Sequence, residues 1–186
     1  MFFLAAAAIV LNAADDPVRW QTAILGPIDK PVSALQRSDR RLVLKTLEEE
    51  LRGDIANETG ALATLSGDLR FKRVDLDGDG VPELVLQGMG PTWCGATGNC
   101  AFWILRKFGG GFVEIFDSGP GQSIFLQPTR SKGWKDFVLS THDTATRSIR
   151  DFYRFNGTRY ERSSCYAFEW DEKQPRSQVP SITPCN

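Results

Sequence analysis

A short acidic stretch carries the residue types best suited to chemistry in this chain. Asp75, Asp77 and Asp79 are spaced two residues apart, and Glu83 follows four residues later. Calcium takes six to eight oxygen ligands, and carboxylates at this spacing converge on one ion when the backbone curls tightly. The pattern therefore predicts a single structural Ca2+ site.

The glycines and the flanks of this stretch indicate which kind of calcium loop it is. Gly80 permits the sharp turn that such loops need, and Val81 can offer its main-chain carbonyl oxygen. An EF-hand would require a glutamate where Leu86 stands and a helix on each side. The flanks Phe71–Val74 and Leu84–Gln87 are strand-like in composition, so an EF-hand is excluded.

Over Phe71–Phe116 the chain resembles the FG-GAP repeats of integrin-α-like β-propellers, in an exported bacterial form. The loop itself is the motif that carries the resemblance. Glu83 departs from the commoner aspartate at its position, which gives that ligand a longer reach. The resemblance implies the metal ligands Asp75, Asp77, Asp79, the Val81 carbonyl and Glu83.

The alternative to a metal site is a solvated acidic turn, because aspartate and glycine are ordinary turn residues. Four crowded carboxylates repel one another when no cation is present, and this favours the metal. Magnesium fits less well, since it prefers few protein ligands and several waters.

The N-terminus and the overall charge indicate a compartment. Residues 1–14 combine an apolar run with small residues, as a secretory signal peptide does, and cleavage is expected after Ala13 or Ala14. A short membrane anchor or a buried helix is the alternative, although the run is too short for stable membrane insertion. The net charge of −1 does not indicate nucleic acid or an anionic membrane as partner. We expect a periplasmic or secreted protein.

Four cysteines fit an exported protein and allow three pairings. Cys94 and Cys100 close a glycine-rich loop, and Cys165 with Cys185 could hold the C-terminal tail. We therefore expect the pairs 94–100 and 165–185. A zinc site is the rival interpretation, but the spacing is wrong and the chain has one histidine.

The chain is predicted to be mainly β with an N-terminal helix. Residues 15–67 should hold an extended segment and a helix, capped by Ser38 or Asp39 and running to about Arg52. A second short helix is the expectation for 54–67. Strands are expected near 69–74, 83–88, 101–107, 111–116, 123–127, 136–141, 150–155, 158–162 and 165–170.

The β domain, residues 68–186, contains a degenerate repeat. Residues 77–86 align with 130–139, so Gly80 falls on Gly133 and Glu83 on Asp136. Arg130 and Lys132 replace Asp77 and Asp79, so a fixed positive charge could do in the second loop what the metal does in the first. Two propeller-blade-like units result, at about 69–116 and 123–163. Two blades cannot close a propeller, so we expect an open antiparallel meander.

No catalytic residue is predicted. His142 beside Asp143 could form part of a base, but no nucleophile motif accompanies the pair. The disulfide-closed loop Pro91–Cys100 is the expected recognition surface, because binding residues favour loops on rigid scaffolds. Its candidate contact residues are Trp93, Thr97 and Asn99.

The expected function is an exported, calcium-stabilised, non-catalytic recognition module for a protein or a glycan. A periplasmic inhibitor or immunity-type protein is the alternative, because small disulfide-bonded β domains suit that role. A hydrolase is the weakest hypothesis, since a loop rich in protein ligands leaves little open coordination for a substrate.

Overall fold

The computed structural model describes residues 17, 20, 23–50, 66–171 and 180–185. The predicted signal peptide, and all but the end of the second predicted helix, lie outside these residues. Within them the fold has one α-helix, α1 (Arg37–Glu50), and two antiparallel sheets. The predicted fold class, mainly β with an open meander, is confirmed.

The first sheet has the order β2-β3-β4-β5-β6 and the second the order β1-β7-β8-β9-β10-β11. All strand pairs are antiparallel. The strands are β1 (Ala23–Ile24), β2 (Lys30–Pro31), β3 (Leu69–Val74), β4 (Glu83–Gly88), β5 (Cys100–Phe108), β6 (Gly111–Gly121), β7 (Ser123–Ser131), β8 (Trp134–His142), β9 (Arg147–Phe155), β10 (Tyr160–Glu169) and β11 (Ser181–Pro184).

Each predicted repeat unit supplies four successive strands of one sheet. Gly80 and Gly133, equivalent in the alignment, both have left-handed backbones, with φ of 84° and 89°. Glu83 and Asp136, also equivalent, are both buried. The strands predicted at 158–162 and 165–170 form the single strand β10, with a register shift between Arg162 and Ser164.

The extended N-terminal segment joins the two sheets. Its strand β1 pairs with β7 of the second sheet, and β2 pairs with β3 of the first. The two strands have two residues each, too short to show an alternating pattern in the sequence. The segment from β1 to β2 therefore forms main-chain pairs with both units.

Helix α1 covers the outer face of the first sheet. Val43 and Leu47 of the helix are fully buried in one cluster with Leu69, Leu86 and Leu105 of the sheet. Neither predicted cap starts the helix, which begins one residue before Ser38. Asp39 is buried instead, with its carboxylate 3.2 Å from the Lys107 Nζ atom, because the sheet offers it a cation.

The main core lies between the two sheets and is largely aromatic. Phe116 of the first sheet meets Phe137 and Tyr153 of the second at ring-centroid distances of 4.9 and 4.8 Å. Phe137 also packs on Tyr160. Since large aromatic side chains contribute most to burial, this contact is expected to hold the two units together.

Two disulfides, Cys94–Cys100 and Cys165–Cys185, match the predicted pairs. Such bonds are typical of proteins from oxidising compartments. Among the described residues, no helix has both the length and the apolar character needed to span a membrane.

Candidate metal centre

The acidic loop connects β3 to β4 and is held by its own backbone. The Asp75 carboxylate accepts hydrogen bonds from the main-chain N–H groups of Gly78 and Gly80, at 2.7 and 3.2 Å. Both glycines have φ of 84°, which side-chain-bearing residues rarely adopt. The loop therefore curls tightly around Asp75.

Three of the four predicted carboxylates converge. One carboxylate oxygen from each of Asp75, Asp77 and Glu83 lies within 4.8 Å of the others. Asp79 is exposed and outside this group, and its Oδ1 accepts the Val81 N–H at 2.7 Å. The three clustered residues are called the carboxylate triad below.

Glu83 is the unusual member of the triad, because its side chain is only 2% exposed. Its Oε2 accepts a hydrogen bond from the Leu76 N–H at 2.9 Å. Burial raises the pKa of Glu83 to about 7, and the negative charges of Asp77 and Asp79 add to the effect, against the hydrogen bond from Leu76. A buried carboxylate among other carboxylates is the electrostatic setting that a cation relieves.

Arg106 forms an ion pair with the triad. The Arg106 guanidinium lies 3.8 Å from the Asp77 Oδ2 and 5.0 Å from the centroid of the Trp134 ring. This pair is long and partly exposed, so it neutralises the triad weakly. The donor set of clustered, hard carboxylate oxygens fits Ca2+, which Asp75, Asp77 and Glu83 would hold.

The second unit supports the loop of the first. Arg130 donates to the main-chain carbonyls of Leu76 and Asp77 at 3.2 and 3.3 Å, and to that of Gly133 at 2.5 Å. The Lys135 N–H also donates to the Leu76 carbonyl, at 2.9 Å. Arg130, expected to act in its own loop, thus holds both loops at once.

Asp136 occupies in the second unit the position that Glu83 has in the first. Its side chain is 1% exposed, and its Oδ1 has no hydrogen-bond partner among the described residues. Burial and the negative charges of Glu83 and Asp136 hold the pKa of Tyr160 above its ordinary value. The Tyr160 hydroxyl donates to the Lys135 carbonyl at 2.8 Å, and the buried carboxylates of both units act on it electrostatically.

Replacing Arg130 with Met is expected to lower the free energy of unfolding by about 1 kcal/mol, because three carbonyl acceptors lose a charged but exposed donor. Urea unfolding without calcium measures the change. Arg159→Met is the matched control, since its guanidinium is 4.0 Å from Glu114 and touches no loop carbonyl of Leu76 or Asp77. An equal loss in both variants would contradict the bridging role.

The raised pKa of Glu83 predicts a pH dependence in calcium-free buffer. The folded chain holds this proton up to about pH 7, whereas the ordinary value is 4.5. The contribution of protonated Glu83 to the free energy of unfolding is therefore fully present below pH 4.5. The chain loses about 3 kcal/mol of it as the pH rises to 7. Urea unfolding across this range measures it, relative to Glu83→Gln, which lacks the titrating group. Exposed Glu161→Gln is the control, and it should keep the wild-type dependence.

The predicted recognition residues differ in their surroundings. Trp93 is half-buried, with its ring 5.3 Å from that of Trp103, and a Cβ on Gly88 would come within 2.5 Å of it. Asn99 is 6% exposed and bonds both main-chain polar groups of His142, at 2.7 and 2.9 Å. Thr97 is exposed. The first two side chains fasten the loop, and Thr97 remains accessible.

His142 and Asp143 lie at the end of β8 that faces the disulfide loop. His142 is exposed and is tied through its backbone to Asn99. Asp143 is partnered with Arg147 across the following turn. The hydroxyl of the preceding residue, Thr141, donates to the Pro120 carbonyl at 3.2 Å. This region supports the loop, and it lies at the opposite end of the sheets from the carboxylate triad.

Sequence reasoning did not identify Arg106 and Tyr160 as neighbours of the acidic loop. Arg106 is far along the chain from Asp77, and only the pairing of β4 with β5 brings them together. Asp136 was indicated by the repeat alignment, which placed it on Glu83. A carboxylate at the same aligned position of both units is the signal that could have identified Glu83 and Asp136 as a related pair.

Comparison of the chain with protein-family models, curated proteins and solved structures finds no match. The FG-GAP resemblance therefore rests on the residues of the loop and stays a prediction. The geometry of the triad and of the disulfide loop is therefore the basis for a functional proposal.

Proposed function

We propose that this chain is an exported, calcium-stabilised β domain that acts as a non-catalytic recognition module for a protein or a glycan. The convergence of Asp75, Asp77 and Glu83 on one point is the observation that carries the proposal. Bound calcium would neutralise the triad, including its buried member. It would thereby stiffen the turn between β3 and β4.

The ligand set is assigned from the contacts. Asp75, Asp77 and Glu83 each provide a carboxylate oxygen, and the Val81 carbonyl and Asp79 complete the shell that the FG-GAP resemblance implies. Asp79 is the outer ligand, because its carboxylate lies outside the group formed by Asp75, Asp77 and Glu83. Calcium in this setting has a structural role, because the carboxylates come from one short loop and bind it as a clamp.

The recognition surface is assigned to the exposed part of the disulfide loop. Thr97 is exposed within the segment that the Cys94–Cys100 bond closes and that Asn99 fastens to the second sheet, and Pro91 and Thr92 are exposed just before it. A rigid exposed loop loses little conformational entropy on binding. This loop lies at the far end of β4 and β5 from the triad, so the metal stabilises the scaffold from a distance.

Calorimetric titration of the purified chain with calcium tests the metal part of the proposal. We expect a single site in the wild type and a much weaker one in Asp77→Ala. Magnesium at the same concentration should give little heat, since it retains several waters. The absence of calcium binding at millimolar concentration would overturn the proposal.

Affinity capture from the native extract tests the recognition part. A partner that binds the wild type and is lost with Thr97→Arg would support the assignment, because Thr97 is exposed in the middle of the loop. Thr158→Arg is the matched control, since Thr158 is exposed on the turn between β9 and β10, at the triad end. Equal capture by wild type and Thr97→Arg would contradict the assignment.

A further inference from the structure

Exposed apolar side chains are concentrated at the end of the molecule that carries the acidic loop. The described residues include four exposed large hydrophobic side chains. Three of them are Val81, Phe108 and Val113, which are 51%, 65% and 47% exposed. The fourth, Met89, follows β4 at the opposite end of the sheet. An unequal distribution of this kind marks an interaction surface rather than scattered exposure.

The strand register places the three side chains at one end. Leu84 of β4 pairs with Leu105 of β5. Val81 precedes β4 and Phe108 ends β5, so both lie at the same end of this antiparallel pair. Val113 pairs with Arg106, whose guanidinium contacts Asp77. The three apolar side chains therefore lie at the same end of the sheet as the carboxylate triad, and we call them the apolar rim.

The rim lies beside turns that project from the body of the protein. Phe108 begins the turn Gly109-Gly110, where a Cβ on either glycine would meet no atom within 4 Å. The neighbouring turns at Gly133 and Gly157 are equally open. Protruding apolar tips suit a fluid surface that they can enter.

Positive charge accompanies the rim. Lys132 is exposed on the turn between β7 and β8, and the Arg159 side chain is 53% exposed on the turn between β9 and β10. Calcium would add two positive charges at this end, against the three negative charges of the triad. Binding of the metal would therefore make this end less negative than it is in the calcium-free chain, which favours an anionic surface.

We propose that the calcium-loaded end docks on an anionic phospholipid bilayer. Phe108, Val81 and Val113 enter the interfacial region, while Lys132 and Arg159 contact headgroup phosphates. The calcium dependence rests on the proposed function. Docking in this orientation turns the disulfide loop away from the membrane, where it can reach a partner.

Co-sedimentation with vesicles tests the proposal. The wild type is mixed with vesicles of phosphatidylcholine and phosphatidylglycerol, or of phosphatidylcholine alone, in millimolar calcium or in EDTA. We expect sedimentation with the charged vesicles in calcium only. Phe108→Ser should weaken this binding by about tenfold, because it removes the largest side chain of the rim. Met89→Ser, at the opposite end, should bind as the wild type does.

Calcium calorimetry on the same variants separates the two proposals. Phe108→Ser should bind calcium normally, since it is not a ligand. If calcium binds but the wild type does not sediment with charged vesicles, the membrane proposal is overturned and the proposed function stands. Sedimentation that is unaffected by EDTA, or equally reduced by Met89→Ser, also overturns it. If calcium does not bind at all, both proposals are overturned.

Discussion

Asp77→Asn is expected to remove most of the stability that calcium gives the folded chain. A ligand that binds only the native state raises the free energy of unfolding by about 4 kcal/mol when its concentration is a thousand times its dissociation constant. Asparagine keeps the side-chain oxygen that accepts the Asp79 N–H at 3.1 Å, so the substitution removes charge and leaves this turn contact. Urea unfolding with millimolar calcium and with EDTA measures the difference.

Asp143→Asn is the matched control for this experiment. Asp143 is exposed and pairs with Arg147 at the opposite end of the sheets, where an ion pair contributes little. Asp143→Asn should leave unchanged the increase in the free energy of unfolding that calcium produces. Asp79→Asn should have an intermediate effect, because Asp79 lies outside the triad. A full calcium effect in Asp77→Asn would show that the triad is not the binding site.

Phe137→Ala is expected to lower the free energy of unfolding by about 3–5 kcal/mol, since a buried phenylalanine leaves a cavity when truncated. Its side chain is fully buried and packs on Phe116, Tyr153 and Tyr160 at ring distances of 4.9, 5.1 and 4.8 Å. The contact with Phe116 crosses between the two sheets. The whole chain should therefore lose stability in a single unfolding transition, followed by circular dichroism in urea.

Phe108→Ala is the control, because the same chemical change at a side chain that is 65% exposed should cost less than about 0.5 kcal/mol. Two separate transitions in Phe137→Ala would contradict the view that the units form one core. A loss as small as that of Phe108→Ala would contradict it as well.

Local patterns predicted the elements of the β domain closely. The expected strands 69–74 and 83–88 are β3 and β4 to the residue. Apolar residues alternate in the first and form a continuous run in the second, and the glycines of the loop separate the two. The second copy of the loop, in which Arg130 and Lys132 replace Asp77 and Asp79, was also visible, and its Asp136 is buried as Glu83 is. Such features depend on neighbours in the chain, and so the sequence alone shows them.

The start of α1 was predicted less well. Ser38 and Asp39 are both good capping residues, yet the helix begins before them and Asp39 turns towards Lys107 and Arg73 of the sheet. A buried carboxylate gains more from two cations than from a cap. The cations lie on β3 and β5, so no local pattern could indicate this choice.

The sequence by itself determined the acidic loop, strands β3 to β10 and the two-unit organisation, because each depends on short-range spacing or on residue type. It also favoured the two observed disulfide pairs among the three that four cysteines allow. Only the tertiary structure decided that Asp75, Asp77 and Glu83 converge while Asp79 stays outside, and that Arg130 of the second unit holds the first unit's loop. It alone placed Phe108 and Val113 beside that loop. The physical reason is that strand register and the packing of two sheets bring distant residues together, and neither is encoded in any one segment.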